Sequence, residues 1–288
     1  MLLRVRVTLP DRPGALGQVA RTLGVAGADI VQVVVLERLG GRAVDDFTVV
    51  WPGAARVERL MAGLAAIPGV RVDGVWRAIG APVAGGHDSE LLAQVAANPD
   101  DGLATLVDAV PGLLAADWAA AVVVPPDWAN RSGLPPRADQ LAGAEAALLY
   151  ASWRAPVEPA LPEVTPLRAR ALDGPDGTRY AAAPFGRAGL VLLVARVADD
   201  IAAAAPSDGL LAGSGYGPGH AGEPAWTEAE EVPATSFHVT EVDRIAQLVK
   251  AAAVVLGARL DEAAGRPTRP VPSAVAARRA VSVVAPPT

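Results

Sequence analysis

The chain has no cysteine, a single lysine (Lys250) and three histidines in 288 residues. Without cysteine there is no disulfide, no thiolate nucleophile and no cysteine-ligated metal. His87, His220 and His238 lie far apart, no pair has metal-ligand spacing and no H-E-x-x-H occurs, so each reads as a surface polar residue. The serines include no G-x-S-x-G elbow. Gly213 to His220 is glycine-rich, but Pro218 interrupts it, no lysine follows and no strand feeds it into a helix. It reads as a surface loop rather than a phosphate cradle. Glu228, Glu230 and Glu231 read as a solvated acidic stretch. Hydrophobic residues reach 51% with a mean hydropathy of +0.30, both inflated by alanine. No apolar run approaches the ~18 residues of a membrane span. No secretory leader is expected, because Arg4 and Arg6 fall within the first strand and polar residues follow. A cytoplasmic protein is the expectation, with no cofactor, no metal and no membrane contact.

Charge is low and uneven. Residues 1–78 hold ten arginines against seven acids, +3, and the rest of the chain carries –9. The first value is too scattered for a nucleic-acid footprint and the second opposes one. The length suits two domains, each with its own core.

The clearest pattern is at the start. Leu3, Val5 and Val7 alternate with Arg4, Arg6 and Thr8, which predicts a strand. Leu9-Pro10-Asp11-Arg12-Pro13-Gly14-Ala15-Leu16 then turns into an amphipathic helix with Leu16, Val19, Ala20 and Leu23 on one side. Asp11 is expected to cap the helix by accepting from N–H groups two or three residues on, Pro13 to sit in its first turn, and Gly14 to let a backbone or ligand approach. Free N–H groups and the macrodipole favour an anion at such a helix start.

The pattern continues through a helix exit at Gly24 and Gly27, a β-branched run from Ile30 to Leu36, a Gly40-Gly41 hairpin and a strand from Ala43 to Trp51. Val57, Leu60, Met61, Leu64 and Ile67 mark a second helix that Pro68-Gly69 stops, and Val70, Val72 and Val75 mark a last strand. The order is β-α-β-β-α-β, the ferredoxin-like split βαβ arrangement.

With Asp11-Arg12-Pro13-Gly14-Ala15-Leu16, Val19, and Gly27-Ala28-Asp29-Ile30, residues 1–78 resemble an ACT domain, the amino-acid-binding regulatory module. The resemblance implies a ligand site at Asp11, Arg12, Pro13, Gly14, Ala15 and Leu16. In such domains this turn commonly meets the start of the second strand, here Asp29 and Ile30, across a dimer interface. The family often carries Asn before Ile. Asp29 can pair with a ligand ammonium but repels its carboxylate and donates nothing when ionised. The ACT-like sheet also has edge strands open to a second copy.

Residues 79–89 read as a linker. Leu103, Leu106, Val107, Val110, Leu113 and Leu114 mark a helix that Pro111-Gly112 is placed to end or kink. Ala119 to Val124 and Ala146 to Trp153 read as strands, helix competing for the second, with Pro-rich loops over 125–140 and 156–166. Arg179–Pro184 and Leu190–Arg196 form a hairpin around Phe185-Gly186-Arg187-Ala188-Gly189. Residues 206–236 hold little core material. Thr240 and Asp243 resemble a capping box opening a helix with Val242, Ile245, Leu248, Val249, Ala252, Val255, Leu256 and Leu260 on one face. From Arg266 the chain reads as a tail.

The segments Asp101–Val107, Ala116–Val123, the hairpin and Phe237–Val242 are loosely similar to a GAF-type sensor domain across 90–262. The Asn-Lys-Phe-Asp-Glu string of cyclic-nucleotide GAF domains is absent. The expected fold class is therefore α+β, an ACT-like domain (1–78), a linker (79–89), a GAF-like antiparallel sheet with flanking helices (90–262) and a flexible tail (263–288). The expected function is a non-catalytic sensor that binds an amino acid and signals through a rearranged homodimer, with a protein partner downstream. Two other readings stand beside it: an interaction protein whose ACT fold only dimerises, and an amino-acid-metabolism enzyme.

Overall fold

A computed structural model describes residues 1–52, 57–78, 87–124, 146–174, 176–198 and 234–265, and the backbone of 269–270. The first unit contains β1 (Leu2–Pro10), α1 (Ala15–Val25), β2 (Asp29–Leu39), β3 (Arg42–Val50), α2 (Val57–Ala65) and β4 (Arg71–Arg77). Its sheet runs β2-β3-β1-β4 with every neighbour antiparallel. Alternation on β1 sets the layers: Leu3, Val5, Val7 and Leu9 join Val19, Leu23, Phe47, Leu60 and Leu64 in one core beneath the helices. Arg4, Arg6 and Thr8 take the other face.

Helix α1 buries Ala15, Val19 and Leu23, spaced by four. Leu16, expected on that face, is 42% exposed. One residue of offset turns a side chain about 100° around the helix, so a face led by Ala15 leaves Leu16 outside.

The second unit contains α3 (His87–Ala97), α4 (Gly102–Leu114), β5 (Trp118–Val123), β6 (Ala147–Ala151), β7 (Arg170–Asp173), β8 (Arg179–Pro184), β9 (Leu190–Arg196), α5 (Val239–Leu256), α6 (Ala258–Ala264) and the two-residue β10 (Arg269–Pro270). Its sheet runs β10-β6-β5-β9-β8-β7, again antiparallel throughout. Strand β9 is buried along its whole length, which explains its unbroken apolar run. Helices α3, α4 and α5 cover one face through Leu91, Leu106, Val110, Val249 and Leu256. Leu161 and Val164, from the Pro-rich loop, cover the other together with Trp118 and Tyr180. The chain is thus α+β, with two antiparallel sheets and, among the described residues, six helices.

Several expectations need correction. The last three residues of the expected linker, His87 to Ser89, already belong to α3. That helix buries only Leu91 and Val95, too thin a stripe to read from sequence. Pro111 does not end α4, which runs on to Leu114 and closes when Ala116 donates to the Pro111 carbonyl. His238, not Thr240, caps α5, in a reciprocal box with Glu241. The Thr240 hydroxyl is engaged elsewhere, donating to the Leu36 carbonyl at 2.8 Å. His238 is therefore no plain surface residue; its Nε2 lies 3.2 Å from the Glu37 carboxylate. Val255 lies off the buried face of α5, and Gly257, at φ 53°, separates α5 from α6. The loop over 125–140, the Gly213–His220 run, the acids at 228–231 and all of the tail beyond 270 lie outside the described residues.

Candidate functional site

The turn between β1 and α1 is built by backbone geometry. Gly14 is the N-cap of α1 at φ 89°, a left-handed conformation that favours glycine, and no side chain caps the helix. The expectation for Asp11 is therefore overturned. Its carboxylate instead accepts a bidentate fork from Arg38 near the end of β2, at 2.7 and 3.0 Å. Asp11 stands three residues before the cap, so its side chain meets the strand end rather than the helix. Pro13 precedes the cap and is not in the first turn. A Cβ on Gly14 would meet no atom within 4 Å, so within the chain the residue serves φ and not a close approach. Arg12 is exposed, and Ala15 is buried under the helix. Among the described residues, no backbone carbonyl outside α1 accepts from the N–H groups of Leu16 and Gly17.

Beneath the turn, Asp45 on β3 is buried and its Oδ1 has no hydrogen-bond partner. Burial, and then the charges of Asp46 and Asp11, push its carboxyl pKa up.

Asp29 and Ile30 are not beside this turn. Asp29 pairs with Val50 at one end of β3, whereas Pro10, which leads into the turn, pairs with Arg42 at the other. Eight residues of strand separate the two ends, about 27 Å. Within one chain the two halves of the expected site sit at opposite ends of the sheet.

The structure assembles a second constellation that the sequence reading did not single out. On the far face of the first sheet, Arg6 donates to both oxygens of Asp46, at 2.6 and 2.8 Å. It also reaches Glu241 in the first turn of α5 at 2.9 Å. Glu241 accepts in turn from Arg196 at the end of β9, at 2.6 Å. The Arg196 guanidinium lies over the rings of Trp76 and Phe237, 4.7 and 4.0 Å from their centres. Trp76 donates its indole N–H to the Ala115 carbonyl at 3.0 Å. This seam of buried charges joins the two units. For Glu241, burial alone would raise the pKa, but the charges of Arg196 and Arg6 outweigh it and pull the carboxyl down to about 2. Burial pushes the Arg196 pKa down, with Glu241 acting against that shift.

Beside the seam opens a cleft of about 1160 Å³ between the far face of the first sheet and helices α3, α4 and α5. Among the described residues no group of three or more His, Asp or Glu is placed to hold a metal ion, and no helix is long and apolar enough to cross a membrane.

No protein-family model matches the chain, and no curated protein matches it in sequence. Among solved structures it is similar to an unknown protein from Galdieria sulphuraria. The match covers 43% of this chain and 72% of the other, at 18% identity and a TM-score of 0.24. That overlap is too loose to assign a fold.

The residues missed from sequence are Arg6, Asp46, Trp76, Arg196 and Glu241. One signal was present, since the charged side of β1 (Arg4, Arg6) stands in register with the polar side of β3 (Thr48, Asp46). Alternation marks such residues as the wet side of a sheet, and here a second unit covers it.

Proposed function

We propose that the chain is a non-catalytic regulatory protein that binds an amino acid at the Asp11–Leu16 turn of an ACT-like domain and transmits binding through a homodimer. The observation that carries this reading is the placement of β2. It is an edge strand of eleven residues with Val31, Val33 and Val35 exposed along it. Antiparallel pairing of β2 with the same strand of a second copy sets the start of one strand beside the end of the other. Asp29 of the partner subunit then comes to Arg38 and the turn, which closes the 27 Å gap described above. The Leu16 and Gly17 N–H groups face a ligand carboxylate, and Asp29 of the partner subunit takes its ammonium. The GAF-like half carries the change onward. The ligand must bind two dimer arrangements unequally for any signal to pass.

A second reading has an observation of its own. The Asp11 carboxylate is already satisfied by Arg38, so the turn is complete without a ligand. On that reading the first unit serves only to dimerise.

Light scattering at micromolar concentration, followed by a thermal-shift screen of the twenty amino acids, separates the two. A dimer with a selective rise of several degrees, lost in Gly14→Leu, is the expected result. A dimer with no response selects the interaction reading, and a strict monomer overturns both.

A further inference from the structure

We infer that the cleft between the two units is a second binding site, for a small monocarboxylate with a short apolar tail, and that Arg4 receives the carboxylate. The argument begins with an incomplete ion-pair chain. Arg4, Asp46, Arg6, Glu241 and Arg196 form a connected row of three guanidinium groups and two carboxylates. Both oxygens of Asp46 are taken by Arg6 at hydrogen-bonding distance. Arg4 is left with a 3.4 Å contact to the same carboxylate, and its buried Nε has no hydrogen-bond partner. The row thus holds one more guanidinium than carboxylate, and its Arg4 end lines the cleft. Buried charges of this kind are stabilised by a counter-charge, and a planar carboxylate matches the guanidinium fork.

The surroundings narrow the class. Gln32 and Thr48 stand in register with Arg4 across three strands, giving a polar row at the cleft floor. Val34 and Leu113 offer an apolar wall to a short tail. On the helical side Asp88 is paired with Arg244, which leaves Glu90 and Asp243 to repel a second negative charge and disfavour phosphate and dicarboxylates. Clefts between packed units are a common setting for small ligands. This site uses none of the residues of the β1–α1 turn and stands or falls independently of that turn.

Titration calorimetry of the full chain with hexanoate and benzoate, and with inorganic phosphate as the dianion control, tests the inference. One hexanoate or benzoate per chain is expected, with no heat from phosphate. Arg4→Gln should weaken binding by about tenfold or more, the usual effect of losing a charged hydrogen-bond partner. Because that change also disturbs Asp46, Gly112→Phe supplies a second readout. Gly112 lines the cleft, and a Cβ there meets no atom within 4 Å, so the ring fills the cleft without a clash at its base. It should abolish binding while the melting temperature holds. Gly14→Leu should leave carboxylate binding intact, which separates this site from the turn. No heat from either carboxylate, phosphate binding as tight as theirs, or affinity unchanged in both cleft variants would each overturn the inference.

Discussion

Glu241 ties together charges from both units. It bridges Arg6 and Arg196, closes the cap of α5 by accepting the His238 N–H at 2.9 Å, and is almost wholly buried. Removing Glu241 leaves Arg6 on Asp46 but strips the buried Arg196 of its counter-charge, a loss of about 3–5 kcal/mol. Glu241→Ala should therefore lower stability by roughly that amount in a denaturant titration at pH 7. The pH dependence follows from the sign of the shift. The folded carboxyl ionises near 2 against an ordinary 4.5, so its contribution is complete above about pH 4.5 and is lost as pH falls towards 2. In Glu241→Gln that loss of stability between pH 4.5 and 2 should flatten; an unchanged slope would place the acid sensitivity elsewhere. None of this was legible from the residue type. The sequence shows Glu241 only as part of the GAF-like segment Phe237–Val242, since a glutamate in a helical first turn is ordinary and its partners lie 45 and 235 positions away.

At the scale of elements, the parts with strong local signals were readable and the parts fixed by distant contacts were not. The β8–β9 hairpin matches its sequence pattern residue for residue, because Gly186 and Gly189 take positive φ at the turn and the flanking strands are apolar. The caps of α1 and α5 both differ from the expected residues, because each helix starts elsewhere than its local pattern predicts. The cap of α1 is Gly14, three residues after Asp11, and that of α5 is His238, two residues before Thr240. Strand β4 gives a test at this scale. Gly74 packs against the side chain of Thr235, in the segment that leads into α5, so closely that a Cβ would overlap it. Gly74→Val should cost about 1–3 kcal/mol through overpacking, despite the better strand propensity of valine. A variant as stable as the parent would mean that the 234–238 segment shifts freely.

For the molecule as a whole, the strands of the two sheets were readable in the chain's patterning, and the contact between the sheets' units was not. Polar residues on alternate positions of β1 and β3 read as a solvated surface, yet Arg6, Thr8, Asp46 and Thr48 are buried. The N-terminal sheet thus presents a core on one side and a charged interface on the other. Fused in this way, the units should melt together. Differential scanning calorimetry should give a single transition with agreeing calorimetric and van't Hoff enthalpies. Glu241→Ala should split or broaden it by loosening the seam. Two separate transitions in the unaltered chain would contradict the fusion.

The alternation of sign along the seam has a consequence for how such a chain can change over generations. Arg6 answers to two carboxylates and Glu241 to two guanidinium groups, so no single replacement in the row is self-contained. A descendant that lost Glu241 would carry a stability debt until Arg6 or Arg196 changed as well. Substitutions there should arrive in coupled sets drawn from both halves of the protein, and a chimera that joins one half to a foreign counterpart should fail unless the row is exchanged as a block.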